Sequence, residues 1–265
     1  MRSVAVIVAL LLSTLLAGCG LLPANKGDET ASWTAQKLYG EAKSAMDDGA
    51  YDKAIKYYEK LESRYPYGNY AEQAQLEVAY AYYKESEPAS AIDACDRFIR
   101  LHPKHPNVDY AYYLKGLANF NGDLGLMGYV SDQDLSERDP KAAREAFDTF
   151  KELVTKFPKS KYAPDAILRM KYLVNSMASY DVHVAIYYLK RGAYVAAADR
   201  AQESIKTYPN APANEEALYV MVKAYDALGL TTLCDDAERV LKKNFPHSQL
   251  LARGLERKGP WWKFW

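Results

Sequence analysis

The chain has 265 residues, enough for one or two ordinary domains, and its 34 basic and 34 acidic side chains cancel. That balance leaves no electrostatic footprint for nucleic acid, so no nucleic-acid partner is read. No stretch alternates apolar and polar residues between turn clusters, which excludes a sheet-built core and leaves an all-α chain, unusually rich in tyrosine at 23 residues.

Residues 1–18 read as an export signal. Arg2 gives a positive start, and Val4 to Leu16 is an apolar run interrupted only by Ser13 and Thr14. The run is short for a bilayer span but suits a secretory signal. It ends Leu15-Leu16-Ala17-Gly18-Cys19, small residues before a thiol, which resembles a bacterial lipobox. That pattern implies S-diacylglycerol on Cys19, cleavage before it, and acylation (palmitate or a similar chain) of the new amine. These covalent groups are the only cofactors expected, and two or more chains give a stable membrane anchor. The alternative is an ordinary signal cleaved near Ala17 with an incidental cysteine. Gly20 stands where an aspartate would resemble an inner-membrane retention signal, which favours the outer membrane. Without Arg2, 33 basic residues face 34 acidic ones.

Residues 19–34 contain Pro23, Asn25, Gly27 and Asp28 with no periodicity and read as a lipidated tether, with Trp33 a candidate first docking residue. From Ala35 the chain is built of helix pairs. The first carries Leu38, Ala42, Ala45 and Met46, then a Gly49-Ala50-Tyr51 turn, then Ala54, Tyr57, Tyr58 and Leu61, and stops at Pro66. Glycine takes the positive φ that ends a helix, and proline cannot continue one. Alanine twelve residues before proline recurs as Ala54/Pro66, Ala91/Pro103, Ala146/Pro158 and Ala197/Pro209, with Cys234 replacing alanine before Pro246. Successive prolines lie 37, 55, 51 and 37 residues apart. Five registered copies resemble the tetratricopeptide repeat, a helix–turn–helix unit of about 34 residues. The resemblance implies five repeats in a right-handed solenoid.

Copy three is interrupted. Its helices are expected over 109–120 and 140–157, and the segment 121–139 between them is glycine-rich and then acidic. Loops of this length in compact domains are usually functional or disordered, and a partner-contacting loop is favoured here. Copy four is lengthened: no Gly or Pro falls between Pro164 and Arg191, which predicts one helix of about thirty residues, with Ser179 the candidate kink. Copy five spans 213–228 and 231–245. The tail 259–265 (Gly-Pro-Trp-Trp-Lys-Phe-Trp) is read either as a partner or membrane-interface anchor or as a cap over the last repeat. Cys95 and Cys234 fall at interior helix positions three copies apart, which predicts two free, packed thiols.

No catalytic constellation emerges. His102 and His105 each precede a proline in a turn, with no cysteine or carboxylate set beside them for zinc. The acidic pairs Asp47-Asp48 and Asp235-Asp236 sit at helix ends, and the 121–139 segment offers carboxylates alone. No metal site and no enzyme are read; the chain is a binder. The fifth, ninth and twelfth positions of the first helix in each copy line the inner groove of such repeats. These are Tyr39, Lys43 and Met46 in copy one, and Leu76, Tyr80 and Tyr83 in copy two. Tyrosine offers a wide apolar face and a hydroxyl at low entropic cost, which suits an extended peptide rich in aromatics.

Three stretches carry a closer resemblance: 51–59 (Tyr-Asp-Lys-Ala-Ile-Lys-Tyr-Tyr-Glu), 61–68 (ending Arg64-Tyr65-Pro66-Tyr67-Gly68), and 185–197 (containing Lys190-Arg191-Gly192-Ala193-Tyr194). With the lipobox, the tether and the repeat order, the chain resembles the BamD (ComL/YfiO) family of outer-membrane assembly lipoproteins. The resemblance implies a lipid-anchored, non-catalytic subunit of the β-barrel assembly machine on the periplasmic face of the outer membrane. Its partners would be the POTRA region of BamA, the lipoproteins BamC and BamE, and unfolded outer-membrane β-barrel proteins. It also implies substrate binding in copies one and two (35–107) and partner binding in copies three to five (108–258). Lys190 and Arg191, beside the rigid turn that Tyr194 closes, are the expected charge contact. A general periplasmic scaffold serving cell-wall or division proteins is the alternative.

Overall fold

The computed structural model describes residues 28–122 and 140–255. The signal segment, Cys19, most of the 121–139 segment and the aromatic tail lie outside the described residues. Eleven helices are present among the described residues: α1 (Ala35–Asp47), α2 (Tyr51–Arg64), α3 (Asn69–Lys84), α4 (Pro88–Leu101), α5 (Val108–Gly122), α6 (Lys141–Lys156), α7 (Ala163–Lys190), α8 (Tyr194–Thr207), α9 (Asn214–Ala227), α10 (Thr231–Asn244) and α11 (Leu250–Arg253). Each of α1 to α9 packs on the next helix in the chain, and α1 packs on α3, α3 on α5, and α7 on α9. This pattern, next neighbour plus next-but-one, is that of stacked helical hairpins.

The repeat holds at the level of backbone angles. The second helices α2, α4, α6, α8 and α10 are each followed by one cap residue: Tyr65, His102, Phe157, Tyr208 and Phe245. All five have φ between −131° and −127° and ψ between 54° and 69°. A proline follows each, and its ring disfavours the α region for the residue before it, so the register seen in the sequence is the register of helix ends. The turns within the hairpins repeat as well. Gly49, Gly192 and Gly229 have φ of 73°, 74° and 70°. Ser86 takes the same place in copy two with φ 65°, a left-handed residue that the sequence does not announce.

Small residues set how closely the helices approach. Ala54, Ala91, Ala146 and Ala197 are fully buried. Gly116 of α5 lies so near α6 that a Cβ there would fall 2.4 Å from the Phe150 ring. The apolar core runs along the stack in adjoining clusters. Copies one and two contribute Leu38, Tyr58, Leu61 and Val78, and α6 and α7 contribute Phe150, Leu153, Leu173 and Met177. A third cluster joins Val182 and Ala185 of α7 to Ala201 and Val220 of α8 and α9. The 28-residue α7 therefore belongs to two clusters, and it is helical straight through Ser179. Cys95 is buried and Cys234 half-buried, both free thiols; burial pushes the Cys95 thiol up to about 12.

The boundary expected at residue 34 moves. Residues 28–34 are fastened to α2 rather than free. Trp33 packs against Tyr57 at 5.5 Å between ring centroids, with the Lys37 ammonium 4.5 Å above it. The Thr34 hydroxyl accepts from the Lys37 amide at 3.3 Å and caps α1.

Candidate functional site

The first helices present an aromatic face. Tyr39 of α1 sits 5.9 Å from Tyr58 and 5.5 Å from Tyr70. Lys43 bridges to Glu77 of α3 at 3.4 Å, so the inner edges of copies one and two are tied by charge across the groove. Tyr80 and Tyr83 lie 6.5 Å apart one turn further along α3. Of the six expected lining residues, Tyr39, Lys43, Tyr80 and Tyr83 keep exposed surface. Met46 and Leu76 do not: they are 7% and 8% exposed. Met46 joins the copy-one core beside Ala54 and Tyr58. Leu76 is covered by Phe98 and Ala111, because a small residue at 111 lets α5 lean onto α3. Spacing fixes which face a residue occupies but not how far the next copy leans over it.

The face continues beyond the two copies to which it was assigned. Tyr113 of α5 stacks on Tyr162 at 4.7 Å and 16° between planes, and Tyr110 meets Tyr162 at 5.4 Å. The Tyr113 hydroxyl donates to Asp165 Oδ2 at 2.7 Å, and Arg169 Nε donates to the same oxygen at 2.6 Å. The Arg169 guanidinium lies 5.1 Å over Phe120, whose ring is 5.8 Å from that of half-exposed Tyr172. The signal for these residues was present. One further step of 37 from Leu76, Tyr80 and Tyr83 gives Tyr113, Leu117 and Phe120. Burial raises the Tyr39, Tyr110 and Tyr113 hydroxyls above their ordinary pKa. They therefore stay neutral and can donate hydrogen bonds at physiological pH.

A second surface lies at the turn between α7 and α8. Lys190 and Arg191 are exposed, with the Arg191 guanidinium 5.3 Å over the Tyr187 ring. Tyr194 is half-buried against the third core cluster and anchors the turn. Apolar Tyr187 and Val195 stand exposed beside it, and the matching turn of copy five likewise exposes Leu228, Leu230 and Leu233. Such a patch with a cation fixed over an aromatic ring is suited to a protein contact. His102 Nε2 lies 2.8 Å from Gln75 Oε1. No cluster among the described residues could hold a metal ion, and no helix among them is long and apolar enough to cross a membrane.

Fold and surfaces together define a helical-hairpin repeat protein with an aromatic face on its first helices and an exposed charged turn. The chain belongs to the YfiO outer membrane lipoprotein family, whose model matches residues 32–241. It is 48% identical over 237 residues to the outer membrane protein assembly factor BamD of Neisseria meningitidis (strain Z2491), which covers 89% of each chain. The protein of that name from Xylella fastidiosa (strain Temecula1) is 40% identical over 91% of this chain and 82% of its own. That of Vibrio cholerae is 39% identical over 89% of this chain and 96% of its own. Among solved structures, a MamA protein is similar at 18% identity and a TM-score of 0.39, over 84% of this chain and 96% of that one. A score so low leaves the fold to rest on the packing described above.

Proposed function

We propose that this protein is a non-catalytic subunit of the machinery that assembles β-barrel proteins in the outer membrane. In this reading it is held on the periplasmic face by acyl groups on Cys19. Its aromatic face over 35–107, extended by Tyr110, Tyr113 and Phe120, takes unfolded barrel segments rich in aromatic side chains. Its C-terminal copies, within 108–258, bind the POTRA region of the barrel subunit BamA, with BamC and BamE as further contacts. Lys190 and Arg191 supply the charge contact, and Tyr194 holds their turn in shape. Carrying the reading is one observation: a chain of this family arrays half-exposed tyrosines along the first helices of successive hairpins. That face offers repeated apolar surface with hydroxyls at intervals, which is chemistry for an extended strand and not for a single small molecule.

Affinity capture tests it. The tagged protein is recovered from detergent-solubilised outer membranes beside a Lys190→Glu/Arg191→Glu variant, and partners are identified by mass spectrometry. A barrel protein with POTRA domains is expected, in amounts reduced in the variant. Undiminished recovery would remove the two residues from the contact and keep the function. Capture of cell-wall or division proteins without the barrel protein would replace this reading with the general scaffold.

A further inference from the structure

The inner end of the tether is clamped to a helix with a basic face. Asp28 Oδ1 accepts from Lys60 Nζ at 2.6 Å, and its other oxygen accepts from Arg64. Lys60 also reaches the Thr30 hydroxyl at 3.2 Å, and Arg64 donates to the Thr30 carbonyl and, at 3.1 Å, to its hydroxyl. Thr30 is buried, and the Tyr65 hydroxyl donates to the Trp33 carbonyl at 3.0 Å. This gives Arg64-Tyr65 a purpose that a helix terminus alone does not require: both side chains bind the incoming segment.

Around the clamp, Lys53, Lys56, Lys60 and Arg64 recur at steps of three, four and four, which places them in one strip along α2. Tyr57 flanks the strip, with the Lys53 ammonium 5.6 Å over its ring and the Trp33 ring 5.5 Å away. Asp52 offsets Lys56 at 2.7 Å, and Glu59 is drawn off by the Tyr82 hydroxyl at 2.6 Å, on the flank of the strip away from Trp33. Eight residues lie between Cys19 and Asp28, nine Cα steps with a reach of at most about 30 Å.

We propose that the α2 face bearing Lys53, Lys56, Lys60 and Tyr57 is turned to the anionic surface of the bilayer that holds the acyl chains, the Asp28 clamp setting its distance. This rests on the acylation of Cys19 in the reading above. Three features support the choice of occupant: a strip of cations for anionic headgroups, Trp and Tyr rings suited to a membrane interface, and a tether too short to let the α2 end stray. Acyl anchors commonly act with a basic patch as second signal. The substrate face on the first helices is thereby left open to the periplasm.

The acylated protein, reconstituted in vesicles, is tested by amine-reactive footprinting read by mass spectrometry. In vesicles containing phosphatidylglycerol, Lys53 and Lys56 should react roughly tenfold more slowly than in detergent, while Lys104 and Lys242 keep their rates. Phosphatidylcholine vesicles should protect less. Asp28→Ala frees residues 28–33, lengthens the tether by about 20 Å, and should restore most of the reactivity. The proposal is overturned by equal reactivity of Lys53 and Lys242 in vesicles, or by equal protection in both lipids. Protection that requires co-reconstituted outer-membrane proteins would overturn it in favour of a protein partner. The mass of the Cys19 peptide is read separately. An unmodified Cys19 defeats the anchoring reading as well, whereas an acylated Cys19 with unprotected lysines defeats this inference alone.

Discussion

Ser86 shows how much one residue can hide. Its φ of 65° matches the glycines at the same point in copies one, four and five, yet it carries a Cβ that the left-handed region penalises. The turn forces it there, because α3 and α4 must reverse in the same two residues that Gly49-Ala50 use. Ser86→Gly should therefore stabilise the protein by about 0.5–1 kcal/mol, the relief of strain exceeding the added freedom of the unfolded chain. In a chain of this size that is a rise of about 2 °C in Tm, measurable by thermal unfolding. A fall in Tm would mean that the serine side chain contributes more than its backbone costs. Residue-scale features of this kind were not legible in the sequence. Alanine and proline spacing located the turn, but a serine in the glycine position gave no sign of its conformation. Leu76 was misplaced for a related reason: its exposure depends on the tilt of a neighbouring helix, which the small Ala111 permits, whereas Met46 packs into the core of its own copy.

Helices were far more legible. Each second helix ends two residues before a proline, and three of the four described hairpin turns carry glycine, so their boundaries follow from two residue types with hard backbone rules. The long α7 was legible because nothing between Pro164 and Gly192 could stop it. Less visible was its role as a splint. Its N-terminal half packs with α6, and its C-terminal half packs with α8 and α9. The two halves of the stack are therefore coupled through one continuous backbone ladder. Ser179→Pro would remove an amide donor in mid-helix and press the ring against the carbonyl of Asn175, at a cost of about 3 kcal/mol or more. Beyond lost stability, the variant should lose cooperativity: denaturant unfolding followed by circular dichroism should split into two steps, while Ser179→Ala keeps one. A single transition shifted to lower denaturant would show that packing between copies, and not the helix itself, couples the halves.

Across the whole molecule, the two proposed surfaces stand on different clusters and different edges of the stack. The aromatic face lies on α1, α3 and α5, and the charged, apolar turn lies at the ends of α7 to α10. Tyr80 and Tyr83 lie on α3 and Lys190 and Arg191 at the C-terminal end of α7, with the helices of copy three between α3 and α7. Perturbations at sites so separated are expected to add within about 0.5 kcal/mol. Tyr80→Ala/Tyr83→Ala should weaken binding of an unfolded, aromatic-ended barrel peptide by about 1–3 kcal/mol and leave POTRA binding unchanged. Lys190→Glu/Arg191→Glu should do the reverse. The quadruple variant, titrated with each ligand by calorimetry, should then reproduce the separate losses with no excess. Non-additivity beyond about 1 kcal/mol would require a path between the faces, and α7 is the one element that contacts both halves of the core. Adding Ser179→Pro to the quadruple variant would then decide the matter: coupling carried by α7 should vanish with its continuity, whereas coupling that survives must pass through the ligands themselves.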